Sequence, residues 1–161
     1  MAMDIQLIYP PFSVEERYAR KVGKSIGGNL PPLGIASLAA FVREKGFTTD
    51  VIDSIALGLS DEDVARRVEA AAPRVIGFSA LTGNFHRAAA CADKLRCRFP
   101  DALIVIGGHH ATIAPHDVMK QGTAFDLAFI GEGERSLIDF LKRYRDAGWR
   151  RSEFLANHAA F

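Results

Sequence analysis

Cysteine is scarce in this sequence. Cys91 and Cys97 are the only two among 161 residues, and they fall six positions apart in a helix-like stretch. Side chains at that spacing point in different directions on a helix, so neither a disulfide nor a shared metal is expected. Two reduced thiols in or near a core are the simpler reading. Histidine offers little more, since His86, His116 and His158 have no partner at a metal-ligand spacing, and a zinc site is not expected. An excess of one charge is missing too, with a formal net charge of +1. The basic residues gather only at Arg143, Arg145, Arg150 and Arg151, which reads as a solvated face rather than a nucleic-acid or anionic-membrane footprint. No run approaches the ~18–20 apolar residues that span a bilayer. The opening Met-Ala-Met-Asp has no basic segment ahead of it and does not read as a signal peptide, so a cytoplasmic protein without a membrane partner is the expectation.

What is present is an ordinary globular composition, 48% apolar and 24% charged, in a length suited to one domain with a real core. Short β-branched runs alternate with helical patterns. Strands are expected at Ile5–Tyr9, Phe47–Ile52, Arg74–Ser79, Ala102–Ile106 and Phe125–Ile130. Between them, Ile35, Leu38, Phe41 and Val42 recur at helical spacing after Pro32, and Gly46 stands where a left-handed C-cap belongs. Ser60 and Asp63 form a capping box, and Pro73 ends the helix that they open. Asn84 is placed to cap a helix reaching about Arg98, a poorly patterned helix is expected at 114–121, and Leu137, Phe140, Leu141 and Tyr144 form the inner stripe of the last one. The pattern predicts a doubly wound, flavodoxin-like (Rossmann-like) three-layer α/β sandwich over residues 1–147, with five parallel strands in the order 2-1-3-4-5. Residues 148–161 read as a tail or the start of a linker.

In such a sheet, ligands bind beyond the carboxyl ends of the strands. The unusual residues collect there: a long loop over 10–31, then Ser79-Ala80-Leu81-Thr82-Gly83-Asn84, Gly107-Gly108-His109-His110-Ala111-Thr112, and Gly131-Glu132-Gly133-Glu134. Paired glycines let a bulky ligand approach the backbone, and the hydroxyls of Ser79 and Thr82 offer hydrogen bonds without charge. Any one of these loops is explained by tight turns alone, but several on one edge point to a binding site. Glu132 and Glu134 are better read as glutamates opening a helix, stabilised by its dipole, than as general acids. No G-x-G-x-x-G follows the first strand, and no phosphate-loop lysine motif occurs. The first loop lacks the Ser/Thr-rich cradle that FMN needs, and Ser79 stands where a response regulator carries its aspartate.

Taken together, Pro31-Pro32-Leu33-Gly34-Ile35-Ala36-Ser37-Leu38-Ala39-Ala40, Val51-Ile52-Asp53, Gly77-Phe78-Ser79, Ile106 to Thr112 and Gly131 to Glu134 resemble a known family. It is the N-terminal cobalamin-binding domain of cobalamin-dependent radical S-adenosylmethionine (SAM) proteins, a group including methyltransferases and the anaerobic magnesium-protoporphyrin monomethyl ester cyclase. The match runs from residue 4 to about 145. The resemblance implies that cobalamin lies across the carboxyl edge, its dimethylbenzimidazole tail passing down beside the first strand. Ser79 and Leu81 match the segment that contacts the tail, and Gly107 and Gly108 the segment that makes room for it. The full expected contact set is Pro10, Ser79, Leu81, Thr82, Gly83, Asn84, Gly107, Gly108, His109, His110, Gly131 and Glu132, with no catalytic residue and no protein metal ligand.

Two departures from the family patterns matter. No Asp-x-His occurs, so histidine ligation of cobalt through the D-x-H-x-x-G signature is excluded. The C-x-x-x-C-x-x-C motif for a 4Fe–4S cluster is also missing, so the cluster and SAM are expected only in a catalytic domain, in cis or in trans, and this chain alone would not cleave SAM. The competing expectation is a cofactor-free module of the same fold that docks on such a domain. An independent small-molecule enzyme using Glu132 or His109 is weaker, because no nucleophile–base–orienter set can be assembled.

Overall fold

The computed structural model describes residues 2–12, 31–120 and 123–158. Most of the long loop expected over 10–31 lies outside the described residues. Five parallel strands, β1 (Ile5–Tyr9), β2 (Thr49–Asp53), β3 (Val75–Ser79), β4 (Leu103–Gly107) and β5 (Leu127–Ala128), form one sheet in the order β2-β1-β3-β4-β5. The helices are α1 (Leu33–Glu44), α2 (Asp61–Ala71), α3 (Phe85–Arg98), α4 (His109–Ile113), α5 (Pro115–Val118), α6 (Gly133–Asp146) and α7 (Arg151–His158), with a 3-10 turn at Thr82–Asn84. This is the flavodoxin-like sandwich that the alternation predicted.

The strands read as continuous apolar runs because both faces are covered. Ile5, Leu7, Val75, Leu103 and Val105 pack with Ile35 and Val42 of α1 and with Leu137, Leu141 and Tyr144 of α6. Their neighbours Ile8, Ile76, Phe78, Ile104 and Ile106 pack on the other side with Val64 and Val68 of α2 and with Cys91 and Leu95 of α3. Leu95 is fully buried there, and truncating such a leucine to alanine costs roughly 2–5 kcal/mol.

The caps follow the sequence closely. Gly46 has φ +82°, and the Gly46 and Phe47 amides donate to Arg43 and Val42 at 3.0 and 3.2 Å, closing a Schellman motif. The Ser60 hydroxyl accepts from the Asp63 amide at 3.2 Å while the Asp63 carboxylate accepts from the Ser60 amide at 3.0 Å. The Ser60 hydroxyl also donates to that carboxylate, and this bond first, with the amide bond second, holds the Asp63 carboxyl below its ordinary value.

Three local expectations need correction. Asn84 does not cap α3 with its side chain; its carbonyl accepts from the Leu81 amide at 2.8 Å and closes the 3-10 turn instead. In place of the helix expected at 114–121 stands the four-residue α5 (Pro115–Val118), and an unexpected α4 (His109–Ile113) precedes it; the two are separated at Ala114 (φ −136°, ψ 54°), because Pro115 forces its predecessor out of the helical region. As a result, His109 and His110 open a helix rather than lying in a loop. The fifth strand is only two residues long. At Asp126 the amide donates to the Ile104 carbonyl at 2.7 Å while its own carboxylate accepts from the Ile104 amide at 2.8 Å, so a side chain takes the place of a ladder carbonyl.

Asp126 also binds Arg96 at 2.6 Å and Arg151 at 2.5 Å, and Arg151 lies in the segment read from the sequence as a tail or linker. That segment contains α7. Phe154 packs against Phe140 and Tyr144, with ring centroids 5.5 and 5.0 Å apart. Before it, Trp149 takes a left-handed conformation (φ +61°), meets the Tyr144 ring edge-on at 5.2 Å and carries the Arg74 guanidinium 5.2 Å from its centroid.

Candidate functional site

Strand register builds the site. On the face covered by α1 and α6, Leu7 lies beside Gly77 and Gly77 beside Val105, and two residues nearer the carboxyl ends Ser79 lies beside Gly107. Toward the amino ends the same face is filled by Ile5, Val75 and Leu103. Leu7 and Ile5 fill the space over Gly77, where an added Cβ would meet them at 2.9 and 3.3 Å, so it is Ser79 and Gly107 that thin the layer at its carboxyl end. The result is a cleft of about 200 Å³ between sheet and helices. Leu7, Val105 and Phe129 wall it from the sheet side, Ile35 and Leu38 from α1, and Leu137 from α6. Gly131, Glu132 and Glu134 stand where α6 begins.

The two glycines at the end of β4 differ in kind. At Gly108 (φ +93°) an added Cβ would sit 2.9 Å from the Ala80 carbonyl oxygen, so the chain's own packing requires glycine. At Gly107 an added Cβ would lie 3.6 Å from Phe129 Cβ, an ordinary contact, and φ is not positive. Protein packing does not demand glycine at 107. The space it leaves belongs to the cleft.

Hydrogen bonds lock the surrounding loops together. The Ala80 amide donates to Gly107 and the His110 amide to Ala80, each at 3.1 Å. The Thr112 hydroxyl donates to the Gly108 carbonyl at 3.1 Å and accepts from the Gly131 amide at 3.0 Å, joining the ends of β4 and β5. His110 is buried, its Nδ1 3.3 Å from the Thr82 hydroxyl and its ring 4.2 Å from Phe85, while its buried Nε2 has no hydrogen-bond partner among the described residues. His109 is exposed.

Of the residues singled out in the sequence, Ser79, Gly107, Gly108, Gly131 and Glu132 line the cleft together. Pro10, Leu81, Thr82, Gly83, Asn84, His109 and His110 do not; they sit on or beneath the loops at the same edge, with Leu81, Thr82 and Gly83 exposed and Pro10 and Asn84 buried. Sequence reasoning passed over Leu7, Leu38, Val105, Phe129 and Leu137, which form most of the wall. The shared strand parity of Gly77, Ser79, Val105 and Gly107 was the signal available for the sheet side. Leu33 opening α1, Leu57, Leu81 and Ile130 in the stretches that follow strands, Ile113 at the end of α4 and Met119 after α5 are exposed large apolar residues, Leu33 at 75% and Ile113 at 60%. Among the described residues no group of three or more His, Cys, Asp or Glu is placed to hold a metal ion. Nor is any helix among them long and apolar enough to cross a membrane.

An apolar cleft at the carboxyl edge, rimmed by small residues and exposed leucines, suits a flat group attached to a larger body. A family model described as B12 binding domain matches residues 19–141. This chain belongs to the B12-binding domain family. Relatives of this B12-binding domain carry more specific names. An uncharacterized methyltransferase of Pyrococcus horikoshii is 32% identical over 147 residues, covering 89% of this chain and 30% of that protein. The anaerobic magnesium-protoporphyrin IX monomethyl ester cyclase of Rubrivivax gelatinosus is 28% identical, covering 74% of this chain and 22% of the cyclase. The cytidylyl-2-hydroxyethylphosphonate methyltransferase of Streptomyces wedmorensis is 27% identical, covering 66% and 23%. The B12-binding domain thus spans less than a third of the length of these curated relatives.

Proposed function

We propose that this chain is the cobalamin-binding module of a radical SAM enzyme, whose methyl transfer or ring-forming chemistry is carried by a catalytic domain joined in cis or acting in trans. The observation that carries the reading is the cleft beside β1. At about 200 Å³ it is smaller than the roughly 300–1,000 Å³ of sites that enclose a whole drug-sized ligand, so it suits one flat heterocycle and not a corrin ring. Its apolar walls and the space left at Gly107 fit the dimethylbenzimidazole tail, with the Ser79 hydroxyl available to a base nitrogen.

The corrin would then rest over the exposed loop residues Leu81, Thr82, Gly83, His109, Gly131 and Glu132, with the buried Pro10, Asn84 and His110 holding those loops from beneath. Bound cobalamin supplies cobalt redox and methyl-carrier chemistry. The chain's own residues bind and orient it: Thr112 holds the β4 and β5 loops in register, and the backbone bonds through Ala80 hold the β3 loop against them. His110 supports the Thr82 turn from below. A 4Fe–4S cluster and SAM belong to the catalytic partner.

The exposed apolar rim also favours a second reading, a cofactor-free module that docks on a catalytic domain through this edge. A visible absorption spectrum separates the two. After incubation with hydroxocobalamin and desalting, the chain is expected to retain corrin bands whose position reports the tail base displaced from cobalt. A chain that stays colourless even after refolding with hydroxocobalamin would overturn the cobalamin reading and leave the docking one.

A further inference from the structure

We propose that the open edge of the sheet, where β5 runs beside α6, is the interface at which two copies of this chain form a two-fold dimer. β5 is the last strand of the sheet, with β4 on one side and no strand on the other. An edge of that kind leaves main-chain groups free to pair with another chain. Beside it lies a second groove of about 410 Å³, which shares only Phe129 with the cleft. Leu127 and Phe129 are half-buried there, over the buried rings of Phe140 and Phe154. Apolar surface left open in this way marks a contact surface. The other wall is the flank of α6 that carries Ser136, Asp139 and Arg143.

The charges on that flank commit the groove to a second copy. Asp139 and Arg143 are both exposed, and among the described residues neither has an ion-pair partner. Four residues apart on a helix, they share one face and stand about 6 Å apart along its axis. Across a two-fold axis, a residue that meets a second residue of the partner is met by the same pair in reverse. An axis passing between Asp139 and Arg143 therefore sets each aspartate against the other copy's arginine, and two ion pairs form at once. Opposite signs one turn apart match their own two-fold image. The same axis brings the two β5 edges together and covers both grooves.

The test is sedimentation equilibrium of the 161-residue chain and of two charge reversals, Asp139→Arg and Arg143→Asp. Both positions are exposed, so the fold is expected to survive, which far-UV circular dichroism checks. The parent is expected to associate to a dimer. Each reversal alone should weaken association by about tenfold or more, because like charges then meet twice across the axis. An equimolar mixture of the two variants should restore the dimer, since every contact again joins an arginine to an aspartate. Asp146→Arg makes the same change of charge on α6 outside the groove and should leave association unaltered. A parent that stays monomeric would overturn the dimer and leave the groove to a different chain, such as the catalytic domain. A dimer that neither reversal weakens would overturn this site as its interface. Loss of the dimer in Asp146→Arg as well, or a mixture that stays apart, would assign the effect to net charge and overturn the reciprocal contact.

Discussion

Gly107 and Gly108 stand side by side at the end of β4, and only Gly108 is demanded by the chain's own backbone. An added Cβ at 107 meets Phe129 at an ordinary distance, so Gly107→Ala should fold with a stability within about 1 kcal/mol of the parent. Its methyl group would enter the cleft. The expected outcome is a loss of cobalamin affinity of about tenfold or more with the affinity for cobinamide, which has no base, unchanged, measured by equilibrium dialysis. The cysteines make a second contrast. Burial, assisted by the nearby Asp61 charge, pushes the Cys91 thiol up to about 12, while Cys97 is exposed. A raised thiol pKa means the native state holds its proton where the unfolded chain releases it. The stabilisation is therefore full below the ordinary value of 9.0 and is lost progressively as pH rises from there toward 12. Thiol titration at neutral pH should count one reactive group in the native chain and two after unfolding; two in the native chain would contradict the burial.

Among the elements, β5 and α7 depend on one another. The Asp126 side chain is 6% exposed and gathers Arg96, Arg151 and the Ile104 amide, so a single carboxylate joins α3, β4 and the terminal helix. Asp126→Asn removes the charge that two guanidinium groups share and should destabilise the domain by about 2–3 kcal/mol. Hydrogen exchange is expected to quicken first in α7; uniform exchange across the chain would show that the helix holds by Phe154 alone. Element by element, legibility tracked how local the cause was. The Schellman motif at Gly46 and the capping box at Ser60 are made within one helix end, and both were readable. The length of β5 was misread because a carboxylate takes its ladder position from outside the strand, and the role of Asn84 because its side chain has two local uses, of which the Leu81 amide and not the opening of α3 takes it.

At the scale of the molecule, the alternation of strands and helices was enough to give the parallel sheet and its order, because apolar runs of that length must be covered on both faces. It also pointed to the carboxyl edge, where Ser79, Gly107, Gly108, Gly131 and Glu132 do converge. The cleft itself was not readable. Leu38 and Leu137 are far apart in sequence and look like ordinary helix-stripe residues; they become opposite walls only because α1 and α6 cover the same face. One more property follows from the packing at the amino edge of β3. Trp149 is the sole tryptophan, held between Tyr144 and Arg74 at the start of α7, away from the cleft residues. Its emission is therefore a gauge of two separate events in one cuvette. A red shift marks solvent reaching the indole as the terminal helix leaves, whereas dimming without a shift marks energy passing through space to a coloured ligand at the opposite edge.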